Sequence, residues 1–321
     1  MIAASGHDSV GTGMEVSTEH YSITVTGGTA GGTIGYRRLA LVCEGGGQRG
    51  IFTAGVLDSF MRHDFFPFRT LVGVSAGAQN ISAYACGARG YARHAILRYT
   101  THRAFFDPLR FARGGHMIDL DWYFDALNSE APLDLTLAER RLDGGSLHVC
   151  ASRCDNLAAQ YLPFHPERLP HAIKASSAIP LFYRGGVSID GVDYWDGGVS
   201  DALPVVAAHE RGGDCIVVVR TLPHSADQTP LKLPRNLKHQ KLQQTAAMVE
   251  AHMNSYGTAR RFIENPPDAV TVIEIAPTKP LKSRLLGSKL DALRHDYRIG
   301  LHCGQSFLDR VAGRLHHRPA H

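Results

Sequence analysis

Two short apolar runs, each followed by small residues and then by a helical pattern, constrain the fold of this chain most. Leu39–Cys43 is apolar throughout, which is typical of a strand buried on both faces of a sheet. Thr70–Val74 is a second such run, and apolar residues recur at helical spacing from Ile51 to Met61. Another helical pattern begins at Ala76. Strand, turn and helix, repeated twice, predict a parallel sheet with crossover helices.

The rest of the chain continues this pattern into a mostly helical C-terminal part. Further strands are predicted at Leu147–Ser152, Gln160–Pro163, Tyr194-Trp195, Cys215–Arg220 and Val270–Ile275, and helices at Pro204–Arg211, Leu237–Glu264 and Ser288–Gly313. The first residues are rich in Gly, Ser and Thr and predict a flexible leader at 1–36. We expect the core domain at 37–222. We expect a linker and a mostly helical region, packed on the core, at 223–321.

Length and composition exclude several classes of protein. A chain of 321 residues with a formal net charge of +4 buries a core without disulfides and is too weakly basic to indicate a nucleic-acid partner. Six cysteines in such a chain are not a disulfide framework, and Cys150 and Cys154 lack the second ligand pair of a structural zinc site. No apolar run approaches the roughly 18 residues of a membrane span, and no signal peptide is evident. We expect a cytoplasmic protein without a metal or other cofactor. The sequence gives no indication of its oligomeric state.

Gly73-Val74-Ser75-Ala76-Gly77 is a G-x-S-x-G motif at a predicted junction between strand and helix. A serine on so sharp a turn points its hydroxyl out of the sheet, and small residues two positions before and after it let the backbone pass closely. The helix that follows brings its positive dipole end and its free N–H groups beside any oxyanion. The motif therefore predicts that Ser75 is a nucleophile.

The glycine loop, Gly45-Gly46-Gly47-Gln48-Arg49-Gly50, allows two interpretations. As G-x-G-x-x-G between a strand and a helix, it matches a dinucleotide-binding fingerprint, which also needs an acidic residue at the end of the second strand. That strand ends at Ser75, so the acidic residue that would bind the ribose is missing. The loop can instead be an oxyanion hole, in which unhindered glycine N–H groups face a developing negative charge near Arg49. We favour the oxyanion hole.

A serine nucleophile needs a base, and the sequence offers Asp196 and His224. Asp196 lies in Tyr194-Trp195-Asp196-Gly197-Gly198, where the two glycines allow a close approach to another backbone segment. Asp196 followed by His224 has the order of a Ser-Asp-His triad. His224 lies in the predicted linker, however, with no element to fix its ring.

These motifs together resemble those of the patatin-like phospholipase family. The matching set is the glycine loop, the motif around Ser75, the segment Ala175–Pro180 and Asp196-Gly197-Gly198, in this order over about 37–220. Asp-Gly-Gly is a variant of the family's more frequent Asp-Gly-Ala. The resemblance implies a three-layer α/β/α fold with a mostly parallel central sheet. The helical tail is similar to the extra C-terminal region of bacterial members.

The resemblance also implies a Ser–Asp dyad, with Ser75 as the acylated nucleophile and Asp196 as the base. The N–H groups of Gly46, Gly47 and Ala76 would form the oxyanion hole. Arg49 stands where the family's motif has a basic residue. The glycines that would support the motifs are Gly45, Gly50, Gly73, Gly77, Gly197 and Gly198.

The implied substrate is a phospholipid or lysophospholipid, cleaved at a carboxylic ester through an acyl-enzyme. Residues 89–141 are too long for a plain crossover and interleave arginines with Phe105, Phe106, Leu109 and Phe111. This stretch predicts either a cap that contacts a membrane surface transiently or an ordinary solvated helical layer. Two alternatives remain: an α/β-hydrolase-type esterase with a Ser75-Asp196-His224 triad, and a nucleotide-binding module that uses the glycine loop.

Overall fold

The computed structural model describes residues 14–28, 32–224 and 239–318, except for the side chains of residues 239–242. The strands are β1 (Glu15–Ser17), β2 (Tyr21–Gly27), β3 (Ile34–Tyr36), β4 (Leu39–Cys43), β5 (Thr70–Val74), β6 (Ser146–Arg153), β7 (Ala159–Pro163), β8 (Val187–Ile189), β9 (Val192–Asp196), β10 (Cys215–Val219), β11 (Thr271–Pro277) and β12 (Leu315–His317). The helices are α1 (Gly50–Arg62), α2 (Ala76–Ala85), α3 (Tyr91–His94), α4 (Pro108–Ala112), α5 (Leu120–Glu130), α6 (Leu135–Leu142), α7 (Leu169–Ser176), α8 (Val205–Glu210), α9 (His239–Glu264) and α10 (Leu290–Arg310).

A mixed sheet of ten strands runs through the described part of the chain, in the order β1-β2-β11-β10-β4-β5-β6-β9-β8 with β7 also paired to β6. The central strands β11, β10, β4, β5 and β6 are parallel. The strands at both sides are antiparallel. β12 pairs with β3 in a separate two-stranded sheet. The predicted mostly parallel central sheet is confirmed.

Side chains of the central strands alternate between two buried faces, which is why these strands are apolar at every position. Leu39, Leu41 and Cys43 of β4 pack in a core with Phe52 of α1 and Phe307 of α10. The intervening residues of β4, Ala40 and Val42, pack in a second core with residues of α8 and α9. Helices therefore cover both faces of the sheet, as the three-layer α/β/α prediction requires.

The register of the sheet brings the predicted site residues to one edge. β4 and β5 are parallel neighbours, so the glycine loop after β4 and Ser75 after β5 leave the sheet at the same carboxyl edge. On the other side of β5, Val74 pairs with Cys150 of β6. Asp196 of β9 pairs with Ala151, the next residue of β6. Asp196 thus lies two strands away from Ser75 at this edge.

The C-terminal part of the chain is built into this domain rather than attached to it. β11 is a strand of the main sheet, α9 covers one face and α10 covers the other. α10 packs closely against α1 because both helices present glycines: a Cβ at Gly300 would lie 2.1 Å from the carbonyl oxygen of Phe52. The predicted linker falls largely on residues 225–238, which lie outside the described residues.

The prediction of a flexible leader at 1–36 is wrong for residues 14–28 and 32–36. β2 pairs along its whole length with β11, and β1 pairs with β2. Tyr21, Ile23 and Val25 alternate with Ser and Thr and are buried in the core, and Ile34 of β3 is buried as well. The alternation of apolar and polar residues makes this segment a half-buried strand despite its Gly, Ser and Thr content. Residues 1–13 and 29–31 of the predicted leader lie outside the described residues.

Ile23→Ala tests this correction. The Ile23 side chain is fully buried, so truncation leaves a cavity and is expected to lower the free energy of unfolding by about 2–5 kcal/mol. Ser22→Ala, on the half-exposed face of the same strand, is the control and is expected to change it by less than about 0.5 kcal/mol. Chemical denaturation of both variants measures the difference. Equal stability of the Ile23→Ala variant and the unmodified chain would mean that the segment is not part of the folded core.

Candidate active site

Ser75 occupies a strained turn between β5 and α2. Its backbone has φ 52° and ψ −122°, a region that costs a non-glycine residue about 1–3 kcal/mol. The Ser75 N–H donates a hydrogen bond of 2.7 Å to Ser176 Oγ, and the Ser176 hydroxyl donates to the carbonyl oxygen of Cys150. Ser176 thus ties the turn to β6. The G-x-S-x-G pattern predicts such a turn, which places Ser75 at the N-terminus of α2.

Asp196 is held by its backbone from two sides. Its N–H donates to the carbonyl oxygen of Ala178 at 2.9 Å, and its carbonyl oxygen accepts the Ser152 hydroxyl at 2.8 Å. The Gly198 N–H donates to Asp196 Oδ1 at 2.7 Å, so the turn after Asp196 also orients its carboxyl group. Ser176 and Ala178 both belong to the small-residue segment Ala175–Pro180 of the sequence pattern. That segment therefore supports both the serine turn and the aspartate.

Ser75 and Asp196 line the same cavity, and the Ser75 side chain is close enough to the Asp196 carboxyl group to stabilise its charged form. Both residues are buried, with 7% and 6% of their surface exposed. Burial raises the pKa of Asp196 to about 6, while the hydrogen bond from the Gly198 N–H and the nearby Ser75 side chain act in the opposite direction. A carboxylate with this pKa is a stronger base than an ordinary aspartate and is still mostly ionised at neutral pH.

The predicted oxyanion-hole residues lie beside this pair. Gly46 lines the same cavity as Ser75, whereas Gly47 and Ala76 follow Gly46 and Ser75 in the chain and do not line it. Within the described residues, no acceptor takes the N–H of Gly46, Gly47 or Ala76, whereas the N–H of Gly45 donates to Ala202. These three N–H groups are therefore free to donate, as the donors of an oxyanion hole must be, and Gly46 borders the cavity. Gly47 has a positive φ of 54°, which favours glycine at this position.

The remaining motif glycines are positions where two backbone segments meet. A Cβ at Gly77 would lie 2.3 Å from the carbonyl oxygen of Cys43, and one at Gly197 would lie 2.2 Å from that of Cys150. Gly73 and Gly50 approach α2 in the same way. A Cβ at Gly73 would lie 2.8 Å from Ala78, and one at Gly50 would lie 2.8 Å from Ala76. These glycines let β4, β5, β6 and α2 approach closely enough to bring the Ser75 and Asp196 turns together.

Arg49 places a guanidinium in the wall of the cavity. Burial lowers its pKa from the usual value, against the opposing influence of Glu44 and Tyr256. Its Nε is buried and has no hydrogen-bond partner within the described residues. No carboxylate among them forms an ion pair with this side chain. A half-buried cation without a paired acid can bind an anionic group of a ligand.

The cavity has a volume of about 230 Å³ and is mostly apolar away from the reactive pair. Sequence reasoning placed Ile179 and Pro180 in a motif segment, and the structure places them in the cavity wall beside the predicted site residues. The missed lining residues are Leu181, Val199, Ala202, Thr245, Met248, Val249, His252 and Leu285. Four of these lie on α9, so the C-terminal region forms one side of the cavity. Helical spacing of Thr245, Met248, Val249 and His252 is the signal that could have grouped them.

Neither histidine near the site has the geometry of a triad. His224 does not line the cavity; its Nδ1 lies 2.9 Å from Glu274 Oε2, and this hydrogen bond raises the pKa of the imidazole. His252 lines the cavity, but its Nδ1 bonds the carbonyl oxygen of Gly198. A triad histidine stands between serine and aspartate, whereas here the Ser75 side chain itself acts on the Asp196 carboxyl group.

Comparison with known families decides the relationship of this chain. The family model described as "Patatin-like phospholipase" matches residues 41–209, more than half of the chain. The chain belongs to the patatin-like phospholipase family. A second family model, "Domain of unknown function (DUF6363)", matches residues 242–316. The patatin-like match contains every motif residue from Gly45 to Gly198, and the second match contains the cavity-lining residues of α9.

Among curated proteins, this patatin-like chain is 51% identical over 278 residues to "Uncharacterized protein YjjU" of Escherichia coli (strain K12), covering 85% of this chain and 78% of that protein. Among solved structures, VipD from Legionella pneumophila is similar with a TM-score of 0.45 and 14% identity, covering 96% of this chain and 72% of that one. Human GIVD cytosolic phospholipase A2 is similar with a TM-score of 0.43 and 14% identity. That match covers 87% of this chain and 59% of the human chain.

Proposed function

We propose that this protein hydrolyses carboxylic ester bonds of phospholipids or lysophospholipids with a Ser75–Asp196 dyad. The observation that carries this proposal is the proximity of the two side chains in an apolar cavity, where Ser75 stabilises the charged form of the buried Asp196. Asp196 accepts the Ser75 proton while Oγ attacks the ester carbonyl carbon. The tetrahedral intermediate collapses to an acyl-enzyme, and Asp196 returns the proton to the departing alcohol. Asp196 then takes a proton from water, whose oxygen attacks the acyl carbon. The second tetrahedral intermediate collapses and releases the fatty acid as Asp196 returns this proton to Ser75 Oγ.

The oxyanion of both tetrahedral intermediates needs donors that are fixed before the reaction starts. We assign this role to the N–H groups of Gly46, Gly47 and Ala76. They have no acceptor within the described residues, and the N-terminus of α2 adds its dipole. A well-placed donor of this kind contributes about 3–4 kcal/mol.

A phospholipid fits the chemistry of the cavity wall. Its acyl chain would lie along apolar residues such as Ile179, Val199 and Met248, and its phosphate would bind the Arg49 guanidinium. A neutral short-chain ester would use the apolar wall without Arg49. The unpaired, half-buried cation therefore favours a lipid with an anionic headgroup.

We also propose that the entrance of the cavity faces an anionic membrane surface. Leu285 lines the cavity, and the segment around it, residues 281–290, exposes Lys282, Arg284, Lys289 and Leu290. None of these cations forms an ion pair within the described residues. The side chain of Leu290 is 43% exposed.

Part of the predicted cap, residues 89–141, is consistent with this membrane-facing surface. Leu109 of α4 is 57% exposed, and Arg103 and Arg113 on either side of it are exposed too. α4 and the 281–290 segment are connected through Phe106, which lies 3.9 Å from the Cβ position of Gly287. Phe105, in contrast, is buried in the core. The arginines Arg93, Arg98 and Arg110 contact groups of the protein itself.

No helix within 14–28, 32–224 and 239–318 is long and apolar enough to cross a membrane, so contact would be peripheral.

Two substitutions test the dyad. Ser75→Ala is expected to reduce hydrolysis of a defined phospholipid to background, and Asp196→Asn to reduce kcat by at least about 100-fold, because each removes a reacting group. Ser177→Ala and Asp193→Asn are matched controls, since these side chains lie close in sequence but do not line the cavity; both are expected to keep normal turnover. Near-normal turnover by Asp196→Asn would contradict the dyad and require another base.

The pH dependence of kcat/KM follows from the raised pKa of Asp196. The carboxylate is the active form, so kcat/KM is expected to be constant well above pH 6 and to fall about tenfold per unit as the pH decreases below it. Of the described cavity-lining residues, the other titratable groups are Arg49 and His252. A water-soluble ester measures this profile without an effect of vesicle charge. A midpoint near pH 4 would mean that Asp196 is not the base in its buried state.

Charge reversal at the entrance tests the membrane surface. In a Ser75→Ala background, which leaves the lipid intact, Arg284→Glu with Lys289→Glu is expected to weaken binding to vesicles that contain phosphatidylglycerol. Arg140→Glu with Arg314→Glu changes the net charge equally at exposed positions near the opposite edge of the sheet, and is expected to have a much smaller effect. Co-sedimentation with and without phosphatidylglycerol measures binding. Equal binding by both double variants would contradict the assignment.

A further inference from the structure

α9 contacts both loops of the proposed active site through one face of the helix. Thr245, Met248, Val249 and His252 line the cavity, and Tyr256 follows one turn later. His252 and Tyr256 are four residues apart, and their rings are stacked with centroids 6.0 Å apart. All five residues belong to the segment that matches a domain of unknown function.

His252 contacts the turn that follows Asp196. Its Nδ1 hydrogen-bonds the carbonyl oxygen of Gly198. A carbonyl oxygen only accepts, so Nδ1 carries the proton and donates it. The N–H of the same residue, Gly198, donates to Asp196 Oδ1 at 2.7 Å. His252 therefore fixes the glycine whose N–H orients the carboxyl group of Asp196.

Tyr256 contacts the base of the glycine loop through Glu44. Arg220 Nη2 donates to the Tyr256 hydroxyl oxygen at 2.6 Å, which directs the hydroxyl hydrogen toward Glu44 Oε1 at 3.0 Å. Glu44 is buried and also accepts the N–H and the hydroxyl of Thr221. Thr221 in turn contacts Gly46, where a Cβ would lie 2.6 Å from its Oγ1. The position of the glycine loop thus depends on how Glu44 is held.

We propose that α9 positions the reactive groups of this enzyme, His252 by holding the Asp196 turn and Tyr256 by holding the glycine loop. This inference rests on the proposed dyad and gives the C-terminal region a role in catalysis. His252 and Tyr256 are positioning residues: His252 acts through Gly198, and Tyr256 acts through Glu44. Loss of either contact is expected to lower kcat, since small displacements of reacting groups reduce rates by about tenfold to 100-fold.

The two residues are distinguished by their effect on the pH profile. His252→Leu removes the donor that fixes Gly198. Its N–H then stabilises the charged form of Asp196 less well, so the acid limb of kcat/KM is expected to move to higher pH by about half a unit. His252→Asn keeps an N–H donor near the position of Nδ1. This variant is expected to have the rate of the unmodified chain and to place the acid limb of kcat/KM at its original pH. Tyr256→Phe is expected to lower kcat without moving the limb, because the glycine loop does not contact the carboxyl group.

The chain offers matched controls for both contacts. His209 Nδ1 bonds the carbonyl oxygen of Gly213 at 3.0 Å, and the Tyr161 hydroxyl donates to the buried carboxyl group of Asp201 at 2.6 Å. Neither residue lines the cavity. His209→Leu and Tyr161→Phe therefore remove bonds of the same kind and are expected to affect thermal stability only.

The experiment measures kcat/KM against pH for all five variants in the full chain, using one water-soluble ester and recording the melting temperature of each. Activity of the unmodified chain that is lost in both Ser75→Ala and Asp196→Asn establishes the dyad independently of α9. If that activity is present, an acid limb of kcat/KM that stays at the same pH in His252→Leu would overturn the role of His252. A kcat of Tyr256→Phe equal to that of Tyr161→Phe would overturn the role of Tyr256. Abolished activity in His252→Asn would also overturn the inference, because it would make His252 a reacting group.

Discussion

The close approach of the Ser75 and Asp196 side chains is the constraint on which the rest of this structure depends. It requires a serine with a positive φ and a carboxyl group removed from water, and both conditions cost stability. A central sheet covered by helices on both faces supplies the burial that offsets these costs. The raised pKa of Asp196 and the strain at Ser75 are therefore consequences of one arrangement, in which a protected edge of the sheet holds an alcohol against a base.

The contact forms because the elements around it can approach each other very closely. Gly77 lets α2 approach the carbonyl of Cys43, and Gly197 lets the aspartate turn approach the carbonyl of Cys150. Ser176 then joins the serine turn to that same Cys150 carbonyl. The small residues of the motifs thus have a packing role, and their spacing reflects the geometry of the sheet edge. Substituting a larger residue at either glycine would separate the two turns.

The sequence predicted the strands with continuous apolar runs, β4, β5 and β10, because burial on both faces leaves a clear pattern. It did not predict β2, where the Ser and Thr content obscured the alternation of Tyr21, Ile23 and Val25. The motifs pointed to Ser75 and Asp196, which the structure brings into contact; their catalytic roles stay a prediction. His252 and Tyr256 were missed because helical spacing can group the residues of one face of α9 but does not show that this face reaches two distant loops. Such contacts depend on tertiary packing.

The most direct measurement of the central claim is the site of covalent labelling by a fluorophosphonate. Intact-mass analysis and peptide mapping after incubation at pH 8 identify the modified residue. The account predicts a single adduct on Ser75, formed much more slowly in Asp196→Asn because the hydroxyl has lost its base. An unlabelled protein, an adduct on another residue, or an equal rate in Asp196→Asn would contradict it.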